Sequence, residues 1–209
     1  MGEISINPQD DKEKSLATAQ KSDELYLQAA LLADVVKWIL EKDASVRLSE
    51  DPSLKKIPIV EFRRRMRVSS LEKFNMTTYV SVINFYLGER EMKKHAAIGA
   101  VVVYIGEPYI VNLLEKLGYP VRDDEDPDVL GASVGTLCNL VAGNFKAELT
   151  KWGYKDLAMS PFSSYMNEVL NGIEFDVRQK QKYEITFRVK GKPLLDVELT
   201  LGKIPKIKK

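Results

Sequence analysis

The chain has 209 residues, enough to bury one sizeable hydrophobic core and short for two independent ones. Its 31 Lys and Arg against 30 Asp and Glu leave a formal charge of +1, which excludes a global field for nucleic acid, an anionic membrane or an acidic substrate. One cysteine (Cys138) excludes an internal disulfide, one histidine (His95) excludes two-imidazole chemistry, and neither supports a structural metal.

The opening Met1-Gly-Glu-Ile-Ser-Ile-Asn-Pro lacks the order of a signal peptide. The apolar runs at 25–40 and 98–105 are too short, or too interrupted by Gln28, Asp34 and Lys37, to span a bilayer. A cytoplasmic protein without membrane insertion is the expectation.

Residues 1–21 are polar and aperiodic and read as a mobile arm. Ser22-Asp23-Glu24 supplies a cap and first-turn acids, after which Leu25, Ala29, Leu32, Val36 and Ile39 recur at helical spacing, predicting an amphipathic helix ending near Asp43. Residues 45–58, with Pro52, Pro58 and several charges, read as a loop or linker. A division follows from this: residues 1–56 as an N-terminal extension and 57–209 as the main domain.

Between 59 and 69, Phe62, Met66 and Val68 alternate with Arg63, Arg65 and Arg67, leaving Arg64 as the exception, and an edge strand is predicted. Its arginines read either as a charged face that blunts an exposed edge or as an anion-binding patch. Residues 77–87 and 98–105 are β-branched and aromatic and predict two paired strands, with His95 solvated in the turn region between them. Gly106-Glu107-Pro108 opens a short helix through Leu117, closed by Gly118. Residues 122–128 form an acidic loop without the ligand spacing of a calcium loop, and Asp128 is placed to cap the next helix. Beyond that helix, 157–166 is ambiguous; 175–177, 183–189 and 194–201 predict strands, the last two a hairpin through Lys190-Gly191-Lys192-Pro193, and the tail from Lys203 is expected to fray. The order implies an α/β (α+β) sandwich of helices on an antiparallel-rich sheet.

Residues 129–152 carry most of the functional information and predict one long helix. Leu130, Val134, Leu137, Val141, Phe145, Leu149 and Trp152 share a broad face that must be buried. The opposite stripe holds Ala132, Gly135, Thr136, Asn139, Gly143 and Lys146, where exposed helices usually carry Glu, Lys, Arg or Gln. A glycine costs about 0.8–1.0 kcal/mol relative to alanine in a helix interior, so Gly135 and Gly143 imply close approach, either of a partner or of another part of this chain. Asn144 falls nearer the apolar side and reads as a structural amide, and Cys138 as a small hydrophobe.

Thr136-Leu-Cys-Asn139-Leu-Val-Ala-Gly143-Asn144 resembles the Glu-x-x-Asn-(apolar)-(apolar)-x-Gly-Asn helix of the CheX-like and CheC-like chemotaxis phosphatases, relatives of the flagellar switch phosphatase FliY. The preceding strand and short helix, and Met159-Ser160-Pro161 downstream, agree with that family. The resemblance implies a CheX/CheC-like fold, a response-regulator receiver domain as partner, and a homodimer. It gives Asn139 the role of positioning water for attack on the receiver's aspartyl phosphate; Thr136, Gly143, Ala132 and Gly135 would contact the partner. The resemblance assigns the protein no cofactor of its own, because magnesium belongs to the receiver. Thr136 stands where the family has a Glu that pairs with the receiver's lysine, and Ala132 where an Asp or Ser often stands. Losing one partner of a buried charge pair typically costs about 2–5 kcal/mol in a complex. The expectation is therefore a receiver-docking domain of chemotaxis or two-component signalling with phosphatase activity weak or lost. The alternatives are an active phosphatase in which Glu107 or an acid of 123–128 substitutes, and a structural homo-oligomeric assembly component.

Overall fold

The computed structural model describes residues 23–71, 73–123 and 126–207. The arm expected at 1–21 lies outside the described residues. Helix α1 (Glu24–Trp38) runs into a π-helical turn (Ile39–Asp43), and Asp23 caps it by accepting from the Leu25 N–H. The helix expected to end near Asp43 is thus present, with a wider final turn.

The segment expected to be a linker contains a strand, β1 (Ser53–Pro58), which pairs antiparallel with β9 (Gln181–Val189). Its charges are compatible with a strand because it is the sheet's edge: Leu54 and Ile57 are half-buried, Lys55 and Lys56 are exposed, and Pro58 ends it. The expected division at 56/57 falls inside this strand, and α1 packs in the same core as the rest of the chain.

The single strand expected over 59–69 is a hairpin, β2 (Glu61–Phe62) and β3 (Arg65–Ser69), turned by Arg63 and Arg64 at φ 48° and 63°. Arg64 broke the alternation because it sits in the turn. The third strand of this small sheet is β8 (Val169–Ile173); residues 175–177, expected as a strand, follow it without strand pairing.

The main sheet has, among the described residues, the order β1-β9-β10-β5-β4-β6, with β7 also on β4. Its centre is β4 (Thr78–Tyr86), β5 (Gly99–Gly106) and β10 (Lys192–Leu201), the first two paired antiparallel as expected from their β-branched runs. The expected β9–β10 hairpin turns through Lys190 and Gly191, both at positive φ. Short strands β6 (Ala158–Met159) and β7 (Ser163–Met166) resolve the ambiguous segment. A five-residue helix, α2 (Glu89–Lys93), occupies the turn expected after β4. The tail does not fray as far as Ile207: Tyr154 and Lys206 form a β-bridge, the Ile207 N–H donates to the Gly153 carbonyl at 2.8 Å, and Ile204 is buried.

Alternation along the strands makes two layers of core. Tyr79, Ile83, Val101, Val103, Leu195, Val197, Leu199 and Phe187 face α1, α3 (Glu107–Lys116) and α4 (Pro127–Lys151). Val80, Val82, Val102 and Tyr104 face the small sheet, against Met66, Val68 and Ile173. This second layer also holds ions. Glu198, 2% exposed, accepts from Lys182 at 2.6 Å and from the Tyr104 hydroxyl at 2.8 Å, and pairs with Lys73 at 2.7 Å; Lys73 also pairs with Glu184. Burial pushes the Glu198 carboxyl up, but the two ammonium groups outweigh it and hold the acid below its ordinary range.

Candidate functional site: the outer face of helix α4

Helix α4 lies over β4, β5 and β7 and beside α1 and α3. Its N-cap is Asp126, which accepts from the Asp128 N–H at 2.8 Å, and Pro127 follows at the first helical position. The expectation that Asp128 caps the helix is corrected: Pro127 has no N–H to satisfy, so the cap sits before it. Leu130, Val134, Leu137, Val141, Phe145 and Leu149 are buried as their spacing requires, whereas Trp152 is the C-cap and 47% exposed because the helix ends there.

The stripe of small residues separates into two parts. Gly135 is buried, and a Cβ there would lie 2.2 Å from the Phe162 ring, so its missing side chain is explained by packing inside the chain. It does not belong to the outer face. Gly143 is half-buried, and a Cβ there would meet nothing within 4 Å. Among the described residues no internal contact accounts for its cost to the helix. Ala132 and Asn139 are exposed, Thr136 is half-exposed, and Lys146 leaves the stripe to pair with Asp156 at 3.4 Å.

On this face the polar groups differ in availability. The Thr136 hydroxyl donates to the Ala132 carbonyl at 3.1 Å, which turns its proton inward along the helix. Asn144, expected as a buried structural amide, is exposed, and its Nδ2 donates to the Leu140 carbonyl at 2.8 Å. Among the described residues the Asn139 amide has no hydrogen-bond partner. It stands on the outer face with both its donor and its acceptor free.

Of the acids that sequence offered as substitutes, Asp124 and Glu125 fall outside the described residues. Asp126 and Asp128 are at the start of α4, 11 to 13 residues before Asn139, which is about 16–20 Å along the axis. Glu107 acts on the same Tyr79 hydroxyl as these two acids, raising its pKa after burial, the larger cause. Cys138 is fully buried, its Sγ 3.5 Å from the Ser81 carbonyl, and burial pushes the thiol up to about 12, so it behaves as the small hydrophobe expected. His95 is exposed as expected, with its Nδ1 2.8 Å from Glu174. No group of three or more His, Cys, Asp or Glu among the described residues could hold a metal ion, and no described helix is long and apolar enough to cross a membrane.

A layer of helices on an antiparallel sheet, as here, is the fold of the CheX-like and CheC-like chemotaxis proteins. The chemotaxis protein CheX from Desulfovibrio desulfuricans shares it at 15% identity over 83% of this chain and 98% of that one, with a TM-score of 0.52. A chain of the CheX–CheY–BeF3–Mg complex from Borrelia burgdorferi matches at 14% identity, covering 84% of this chain and 97% of that one, TM-score 0.51. A CheC-like superfamily protein from Shewanella sp. PV-4 matches at 17% identity, covering 82% and 95%, TM-score 0.50. No protein-family model matches the sequence, and no curated protein does.

Proposed function

We propose that the outer face of α4 docks the receiver domain of a response regulator in chemotaxis or two-component signalling, with phosphatase activity weak or lost. The observation that carries this is Asn139, exposed and unpartnered, one turn from a glycine whose missing side chain nothing inside the chain requires. An amide can orient a water in line with a phosphorus atom without a shifted pKa. The similar Borrelia burgdorferi structure is a complex with CheY, which supports a receiver as the partner.

Thr136 is why activity is weak. Its hydroxyl is committed to the Ala132 carbonyl and carries no charge to set against a lysine. Asp126 and Asp128, the described acids nearest it along α4, sit at the start of the helix. Any magnesium in the reaction would be the receiver's. A homodimer belongs to the same reading, and light scattering tests it.

The experiment is the lifetime of acyl phosphate on receivers from the same cell. The expected result is saturable binding with unchanged decay, binding lost in Asn139→Ala, and accelerated decay gained in Thr136→Glu. Faster decay with the natural sequence, abolished by Asn139→Ala, would replace this reading with that of an active phosphatase. Absence of binding to every receiver would overturn it.

A further inference from the structure

On the far side of the sheet from α4, a cavity of about 610 Å³ lies between the β2–β3 hairpin tip, the turn after α2 and the segment after β8. Arg63, Arg64, Arg65, Arg178 and His95 line it from these elements together with the carboxylates Glu91 and Asp176, and the buried Phe175 and Ile98 close its floor. The arginines are of two kinds. Arg178 is clamped by Asp176 through its Nε at 2.9 Å and Nη2 at 2.8 Å, and Arg65 by Glu174 at 3.0 Å; Glu174 also holds the Tyr86 hydroxyl and His95. Those two guanidiniums are held in place with donors left over. Arg63 and Arg64 form no ion pair among the described residues.

The backbone gives a second, independent observation. Arg63 (φ 48°), Arg64 (φ 63°) and His95 (φ 54°) are three of the six non-glycine residues at positive φ among the described residues, and all three line this cavity. The left-handed region crowds the Cβ of an L-residue, and a two-residue hairpin turn is ordinarily made with Asn-Gly. Two arginines in that turn are a poor way to reverse a chain, and they put two guanidinium side chains on the rim of one cavity, that of Arg63 stacked 5.2 Å over the Phe62 ring. Strain of this kind collects at ligand clamps.

We propose that this cavity binds an organic phosphate, its phosphoryl oxygens on Arg63 and Arg64 and its carbon framework over Phe175 and Ile98. Planar guanidiniums match phosphate oxygens in bidentate geometry, and the volume suits a single small ligand. A small molecule is favoured over a nucleic acid because the cations ring one cavity on a chain of formal charge +1.

The test is calorimetric titration of the full chain with ADP, pyrophosphate, adenosine and a single-stranded oligonucleotide. Saturable ADP binding is expected, weaker pyrophosphate binding, and none with adenosine. Arg63→Asn with Arg64→Gly provides the turn's preferred residues, so this variant is expected to melt at a higher temperature while losing tenfold or more in ADP affinity. Equal ADP affinity in that variant, or no saturable binding of ADP or pyrophosphate at millimolar concentration, overturns the proposal. Oligonucleotide binding that tightens with length overturns it in favour of a nucleic-acid surface.

Discussion

The two faces of β10 belong to one strand and are held by different forces. Along β10, Leu195, Val197, Leu199 and Leu201 meet the helices in an apolar layer, while Asp196, Glu198 and Thr200, between them in sequence, are equally buried on the other side. On the helical face burial itself stabilises, at about 25 cal/mol per Å² of apolar surface. On the other, Glu198 is tolerated only because Lys73, Lys182 and Tyr104 surround it. The difference teaches that a buried ion is stable by its partners and a buried leucine by its volume.

That comparison can be broken by one substitution on each side. Glu198→Ala is expected to lose about 3–5 kcal/mol, since it strands the Lys182 ammonium in the interior and leaves Lys73 with Glu184 alone. Leu199→Ala, its neighbour on the helical face, is expected to lose about 2–5 kcal/mol by leaving a cavity. Urea denaturation measures both. Replacing Lys73, Lys182 and Glu198 together by Met, Met and Leu sharpens the contrast: near-neutral stability is expected, because the network is costly to break and not needed for burial as such.

On helix α4, Gly135→Ala drives a methyl into the Phe162 ring and is expected to cost about 1–3 kcal/mol by the same denaturation. Acid titration separates two neighbouring carboxylates on β10. Glu198 has its folded-state pKa lowered below 4.5, so its stabilisation is present above the unfolded value and is lost as pH falls through the folded one. Asp196 is raised above 3.8 by burial, the largest cause, and its Oδ1 has no partner. Its ionisation therefore costs stability, a loss that begins as pH rises past the unfolded value and is complete above the raised folded one, and Asp196→Asn is expected to be the more stable protein at neutral pH but not in acid. The smallest effect is Gly143→Ala, which meets nothing inside the chain and is expected to gain up to about 1 kcal/mol while weakening receiver docking.

The helical face was the legible one. The spacing of Leu25 to Ile39 and of Leu130 to Leu149 carries the 3.6-residue period, and the β-branched runs of β4 and β5 need no partner to be recognised. What escaped was polar or short. β1 looked like a linker because an edge strand keeps its lysines in solvent, and the β2–β3 turn was hidden because arginine is not a turn residue. Alternation in β10 reads as a half-exposed strand, yet both its faces are covered, since the partners of Glu198 come from residues far off in sequence. On the candidate site, periodicity placed Asn139, Thr136, Ala132 and Gly143 on one outer stripe. It also placed Gly135 there, because a ring arriving from Phe162 leaves no trace in the spacing of the helix itself.

The position of α1 sets the timetable of folding. This first described helix packs on β9 and β10 as well as on α4, and among the described residues β1 takes its one sheet partner from β9, far along the chain. Until β9 and β10 have been made, α1 has only α4 to cover its apolar side, and the edge of β5 that β10 will pair stays open. The main sheet is complete only when the β9–β10 hairpin slots between β1 and β5. Until then both surfaces are exposed to association with other chains, so a growing chain stalled before residue 181 is the species most prone to aggregate.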